Sequence, residues 1–147
     1  MVSETILSAH ELAEELRPVV LRISRHLRRE TEELGVTSHQ ATLLWLVRTQ
    51  PGLSLRELAQ EEGISAPSLS AHVDRLEALG LIRRVRSSDD RRRVGLELTP
   101  DGRTTLRRVR ARRTTWLAGR LGGLSDDERE SLALALPALR ALLEPAG

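Results

Sequence analysis

The chain has no cysteine and no lysine among its 147 residues. The absence of cysteine excludes disulfides, thiolate catalysis and thiol-based redox sensing. Because lysine is also missing, all 23 basic residues are arginines, which stay charged at any ordinary pH. The 21 acidic residues leave a net charge of only +2, so the sequence pI of about 10.7 overstates how basic the chain is.

Membrane and secretion signals are also missing. No run approaches the roughly 18 apolar residues that a membrane-spanning helix needs. The first residues, MVSETILSAHELAEELR, include glutamates where a signal peptide has a basic end followed by an apolar segment. Hydrophobic residues make up 39% of the chain and charged residues 30%, which is too apolar for disorder. We therefore expect a folded, cytoplasmic protein.

The sequence predicts no catalytic, cofactor or metal site. It has no glycine-rich phosphate loop, and no helix groups His, Asp and Glu at the spacing of metal ligands. Its four histidines are scattered, at His10, His26, His39 and His72. An enzyme is therefore not expected.

Positive charge is concentrated in two segments. Residues 83–93 contain six arginines and two aspartates, and residues 103–120 contain seven arginines and no acidic residue. Residues 4–15 contain four glutamates and no arginine. Such local enrichment in arginine is typical of a surface that faces a polyanion.

Helix signals recur along the chain. Apolar residues at three- and four-residue spacing predict one amphipathic helix over residues 6–34, ended by Gly35. The capping-box pattern, Ser or Thr followed three residues later by Glu or Gln, predicts further helix starts at Thr37, Ser54 and Ser125. The chain is therefore expected to be mainly helical.

One hairpin interrupts the helices. Two short extended runs, LIRRVR and RVGLEL, flank a charged loop and predict two antiparallel strands. Thr99 and Pro100 then start another helix, and the last helix is expected to kink or break at Pro137.

Residues 54–80 have the pattern of a helix-turn-helix. Ala59 and Gly63, four residues apart, allow a close helix crossing followed by a turn with positive φ. The second helix has an apolar inner face, which leaves its other faces free to enter a DNA major groove. An ordinary pair of helices would show the same pattern. The arginine-rich hairpin that follows favours a winged helix that binds double-stranded DNA.

The segment SLRELAQEEGISAPSLSAHVDRLEALGLIRRVRSSDDRRRVGLELTPDG resembles the MarR family of bacterial transcriptional regulators. The shared motifs are DRLExxGLIxR from Asp74, a wing D-x-R at Asp90 and Arg92, and LT-x-x-G from Leu98 to Gly102. The match covers the middle third of the chain, and the flanking predicted helices agree in length and order.

The resemblance implies a mainly α (α+β) fold, a winged helix-turn-helix with flanking dimerisation helices, about six helices and a two-stranded wing. Residues 1–36 and 100–147 are expected to be the dimerisation helices of a homodimer, and residues 37–99 the DNA-binding region. The long apolar stripes of the flanking helices agree with burial between two chains. The implied function is a regulator, expected to be a repressor, that binds a pseudo-palindromic operator sequence-specifically.

The second helix of the helix-turn-helix carries the first set of predicted DNA contacts. Ser65, Ser68 and Ser70 near its N-terminus suit contacts with phosphates or base edges, helped by the positive end of the helix. His72 is expected either to contact DNA or to pack as a partly buried histidine. Arg75 lies further along the helix.

The wing carries the second set. By the resemblance, Arg92 reaches into the minor groove, where an arginine reads groove width. Asp90 is repelled by phosphate, so we expect it to pair with Arg86 or Arg92 and hold the tip in shape. Arg91 is expected to contact phosphate or to remain a solvated charge.

The resemblance also implies a small-molecule effector. Family members commonly bind small phenolic or aromatic acids between the dimerisation helices and the winged helix, which loosens DNA binding. The matching positions are Arg17, Ser38, Trp45 and Arg113, and an arginine there would pair with a carboxylate. Core packing or solvent exposure is the alternative at each position.

A winged helix used only for contact with another protein is the alternative function. It would predict an apolar or acidic wing, whereas this wing is rich in arginine. Gel shifts with promoter DNA distinguish the two functions.

Overall fold

The computed structural model describes residues 6–86 and 94–145. These residues form six helices and one two-stranded antiparallel sheet, which confirms the mainly helical winged fold expected from the sequence. The elements in chain order are α1 (Ala9–Glu32), α2 (Ser38–Thr49), α3 (Leu55–Glu62), α4 (Ala66–Ala78), β1 (Ile82–Arg86), β2 (Val94–Leu98), α5 (Pro100–Gly122) and α6 (Asp126–Ala141).

Capping boxes begin α2 and α6, as the sequence predicts. The Thr37 hydroxyl accepts a hydrogen bond from the Gln40 N–H, and the Gln40 side chain accepts one from the Thr37 N–H. Ser125 and Glu128 exchange the same two bonds at the start of α6. Each bond satisfies an N–H that has no partner within the helix, so these starts are defined locally.

The first helix is shorter than the predicted span of residues 6–34. A capping box between Ser8 and Glu11 begins α1 at Ala9, and the helix ends before Gly35, whose φ is +84°. The sequence signal for this cap is the spacing of Ser8 and Glu11. It lies within the predicted span, because apolar residues at helical spacing continue beyond the helix at both ends.

Of the two outcomes expected at Pro137, a kink or a break of the last helix, the break is wrong. α6 continues through Pro137 to Ala141. A proline removes one N–H donor from the helix ladder, but the bonds before and after it remain. α1 likewise contains Pro18 in its interior.

Glycines with positive φ end both helices of the helix-turn-helix. Gly63 has a φ of +64°, and the Ile64 N–H donates across it to the Ala59 carbonyl at 3.1 Å. Gly80 turns the chain in the same way after α4, with a φ of +73°. Such left-handed termini satisfy the last helix carbonyls and favour glycine.

The hydrophobic core lies within the winged helix. It joins α2, α3, α4, the hairpin and the first part of α5. The largest fully buried apolar side chains are Leu44, Leu58, Leu69, Val73, Leu76, Ile82 and Val109. A bridge between Ser54 and Gly95 adds a short third segment beside the two strands.

The LT-x-x-G motif fastens the start of α5 to the end of α4. The Thr99 hydroxyl donates to the Gly80 carbonyl at 2.5 Å and accepts from the Gly102 N–H at 3.0 Å. The Thr99 N–H donates to the Leu81 carbonyl at 3.1 Å. Gly102 is so close to Leu81 that a Cβ there would lie 1.9 Å from the Leu81 carbonyl oxygen. The motif therefore stabilises the packing of α5 against the end of α4.

The residues from Thr114 onward form a second compact unit, made of the last part of α5 and α6. The structure describes all of α6, and none of its residues is buried. In the first unit, α1 buries only Thr31. No helix in the described part of the chain is both long enough and apolar enough to cross a membrane.

Candidate nucleic-acid interface

α4 packs on the core through one face and exposes the other. Its buried residues are Leu69, Val73 and Leu76, which form the apolar inner face that the sequence predicts. Ser68 and Arg75 are exposed on the remaining surface. The helix therefore presents polar side chains to solvent directly after the turn, as the recognition helix of a helix-turn-helix does.

The serines at the start of α4 have different partners. Ser65 is the N-cap: its hydroxyl accepts from the Ser68 N–H at 3.2 Å and donates to the Ser68 hydroxyl at 3.0 Å. Ser68 is exposed and Ser70 is half-buried. Because the Ser65 hydroxyl already caps the helix, Ser68 is the better placed of the two to contact a phosphate at the positive helix end.

The ring of His72 stacks on that of His39 at the start of α2. The ring centroids are 5.9 Å apart and the ring planes are inclined by 28°. His72 is half-buried. This contact favours the packing role for His72, and a contact with DNA stays a prediction.

Arg84 links the wing to α4, a contact that the sequence interpretation missed. Its guanidinium donates to Asp74 at 2.5 Å and to Glu77 at 2.7 Å, and its backbone N–H donates to Glu77 at 3.2 Å. The hydrogen bond to Asp74 raises the pKa of Arg84 above its usual value. The spacing of Asp74 and Glu77, three residues apart on one face of α4, was the available signal.

The other arginines of the hairpin are placed differently. Arg83 pairs with Glu97 on the adjacent strand at 2.9 Å. Arg86 is exposed at the end of β1. Asp90, Arg91 and Arg92, to which the sequence assigns the wing contacts, lie outside the described residues.

The first unit also has a cavity of about 290 Å³ between α2 and α5. The residues that line it are Ala41, Thr42, Trp45, Leu106, Val109, Arg110 and Arg113. The cavity thus brings together Trp45 and Arg113, two of the four predicted effector positions. Arg17 and Ser38, the other two, do not line it.

Arg113 is held at the edge of this cavity. Its Nε donates to the Thr31 hydroxyl of α1 at 2.8 Å, and its burial lowers the pKa of the guanidinium. Arginine keeps its charge at neutral pH even so. The adjacent Arg112 pairs with Glu30 at 2.9 Å and with Glu33. The cavity therefore combines apolar side chains with two arginines, Arg110 and Arg113, a combination that suits an aromatic carboxylate.

Within residues 6–86 and 94–145, no group of three or more His, Cys, Asp or Glu side chains is arranged to hold a metal ion.

Comparisons with known proteins agree with the fold. A family model described as MarR family matches residues 34–93. The HTH-type transcriptional repressor MdtR of Bacillus subtilis is 28% identical over 128 residues, 87% of this chain and 78% of MdtR. A crystal structure of a Pseudomonas aeruginosa protein is 30% identical, with a TM-score of 0.80, over 95% of this chain and 100% of that one.

A more distant structural neighbour is MepR of Staphylococcus aureus, solved as a mutant bound to an oligodeoxyribonucleotide. It is 21% identical, with a TM-score of 0.69, over 90% of this chain and 98% of that one. At this identity the likeness shows a shared fold.

Proposed function

The chain belongs to the MarR family of DNA-binding transcriptional regulators, and we propose that it acts as a homodimeric repressor on a pseudo-palindromic operator. Its site of action would be the cytoplasm, where bacterial DNA lies. The observation that carries the proposal is the exposed polar face of α4, which follows a tight turn and precedes an arginine-rich hairpin.

α4 is the element that we expect in the major groove, because an α-helix fits the width of that groove. Ser68 and Ser70 lie in its first turns, where the helix dipole favours phosphate. Arg75 is exposed further along and is the best base reader that the helix offers. Ser65 and His72 would contribute mainly by shaping the helix start and its contact with α2.

The wing is proposed to contact the adjacent minor groove. In this proposal Arg92 enters the groove, Arg91 and Arg86 contact phosphates, and Asp90 pairs with a wing arginine. Support comes from the six arginines of residues 83–93 and from the anchoring of β1 on α4 through Arg84. The MepR neighbour, bound to DNA with the same fold, is consistent with this docking.

The dimer is proposed from exposed apolar surface. Residues 1–36 and 100–147 would pair between two chains, and residues 37–99 would bind DNA. α6 exposes Leu132, Leu136 and Leu139, and α1 exposes Leu12 and Val19 among others. Apolar surface on this scale marks an interaction site in a folded protein.

Repression is proposed by analogy with MdtR, and release by a small aromatic acid is proposed from the cavity. Trp45 would stack on the aromatic ring, and Arg113 would pair with the carboxylate. In the DNA-free dimer the two recognition helices would have a different spacing from that in the DNA-bound dimer. A ligand with a higher affinity for the DNA-free conformation would weaken DNA binding.

The proposal is tested by footprinting the DNA that flanks the coding region of this chain, with and without a panel of aromatic acids. We expect one protected site with two half-sites about one helical turn apart. Arg92→Ala should weaken binding by roughly 1–3 kcal/mol, and Arg91→Ala should reduce the slope of log affinity against log salt by about one.

The variants are compared by fluorescence anisotropy at fixed salt, with circular dichroism as the check on folding. No specific protection at any flanking site would contradict the proposal and favour a winged helix for protein contact. Protection that no aromatic acid relieves would leave the DNA-binding proposal intact and count against the effector.

A further inference from the structure

A second hollow, of about 180 Å³, lies between α2 and α5 and is lined by three arginines, Arg48, Arg103 and Arg107. Arg48 is in the last turn of α2, and the other two are one turn apart near the start of α5. All three are exposed to solvent. No carboxylate from the described part of the chain lines the hollow.

The absence of a carboxylate contrasts with four arginines elsewhere in the described part of the chain. Arg83, Arg84, Arg112 and Arg129 each pair with at least one Asp or Glu side chain. At the hollow, three like charges converge instead, which is unfavourable unless an anion joins them. Arg107 is partly fixed there by a hydrogen bond to the Thr104 hydroxyl at 3.2 Å.

Arg103 and Arg107 do not stabilise α5, so helix stability does not explain their positions. Arg103 lies near the positive N-terminal end of the helix, where a cation is disfavoured. Arg103 and Arg107 are also four residues apart, a spacing at which like charges destabilise a helix. Only Arg48, at the negative C-terminal end of α2, is favoured by its own helix.

We propose that this hollow, the triple-arginine site, binds the phosphate group of a small phosphorylated molecule. Guanidinium groups present planar, paired donors that match phosphate oxygens, and three of them supply a charge that balances a di- or trianion. The site shares no lining residue with the cavity at Trp45 and Arg113. On α2, Arg48 lies about one helical turn beyond Trp45, and on α5 Arg107 lies between Leu106 and Val109 of the cavity.

The experiment is isothermal titration calorimetry of the full chain with sodium pyrophosphate, at constant ionic strength and without DNA. We expect saturable binding to the wild type, weakened about tenfold by Arg103→Gln because a charged hydrogen-bond donor is lost. The matched control is Arg108→Gln, which removes the same charge from an exposed position on the same helix that does not line the hollow. Its affinity for pyrophosphate should equal that of the wild type.

Two calorimetric results would overturn the proposal. One is the absence of saturable binding to the wild type, and the other is an equal loss in the two variants, which would mean unspecific attraction. Both can occur while the chain still binds its operator, so they are distinguishable from failure of the proposed function.

A second arm separates a small molecule from the DNA backbone as the source of phosphate. Operator affinity and its salt dependence are measured for Arg103→Gln and Arg108→Gln. We expect the two variants to agree. A salt slope lower by about one for Arg103→Gln alone would make the hollow a DNA contact and overturn the proposal.

Discussion

Gly102 shows how one residue fixes the position of a whole helix. Its backbone φ does not require glycine, but the space beside it does, because the Leu81 carbonyl occupies the place of a side chain. Thr99 bonds to both Gly80 and Gly102 at the same junction. The Leu-Thr-x-x-Gly sequence therefore joins the end of the recognition helix to the start of α5.

We predict that Gly102→Ala lowers the free energy of unfolding by about 1–3 kcal/mol, because the new Cβ forces the backbone of Leu81 to move. Urea denaturation measures the change. The control is Gly119→Ala in the same helix, where a Cβ meets nothing within 4 Å. That variant should be neutral or more stable by up to about 1 kcal/mol. Equal effects at the two positions would contradict the steric explanation.

At the scale of elements, Arg84 links the wing to α4 in addition to the hydrophobic core that the two share. Its two ion pairs join β1 to Asp74 and Glu77 on α4, whereas the pair between Arg83 and Glu97 stays within the hairpin. The wing arginines can reach a minor groove in register with α4 only if the hairpin keeps its angle to that helix. We therefore propose Arg84 as a positioning residue for the proposed DNA interface.

We predict that Arg84→Gln weakens operator binding about fivefold more than Arg83→Gln does, since an exposed ion pair is worth up to about 1 kcal/mol. Both variants lose one positive charge, so unspecific attraction to DNA changes equally. Anisotropy titrations at one salt concentration give the comparison, and circular dichroism verifies the fold. Indistinguishable affinities would show that the anchor does not position the wing.

The sequence predicts correctly those elements whose ends are determined by residues close together in the chain. The capping boxes at Thr37 and Ser125, the turn glycines Gly63 and Gly80, and the hairpin all depend on residues a few positions apart. The predicted break at Pro137 was wrong because it considered only the one N–H donor that proline removes. The other backbone hydrogen bonds of α6 maintain the helix.

Two of the contacts that escaped sequence reasoning join residues far apart in the chain. Thr31 and Arg113 are 82 positions apart, and the stack of His39 on His72 joins two helices. No periodicity encodes such pairs, because they depend on how the helices pack. The resemblance did select Trp45 and Arg113 for one site, and the structure brings both to one cavity. It also selected Arg17 and Ser38, which do not line that cavity.

At the scale of the whole molecule, apolar side chains remain exposed on helices outside the winged-helix core. On α6, Leu132, Leu136 and Leu139 recur at i, i+4 and i+7 and so share one face, while Leu134 lies on the opposite face. A stripe of this kind on a folded protein is typical of a surface that another chain covers. A second copy is the proposed partner, because a two-fold operator needs two recognition helices.

We predict that Leu136→Glu shifts the chain from dimer to monomer at micromolar concentration, because an unpaired carboxylate would be buried in the interface. Sedimentation equilibrium measures the mass, and affinity for the full operator should fall together with dimerisation. Leu134→Glu is the control: at 75% exposure, it places the same charge on the other face and should remain dimeric. A monomeric wild type, or a Leu136→Glu variant that stays dimeric and binds DNA normally, would remove α6 from the interface.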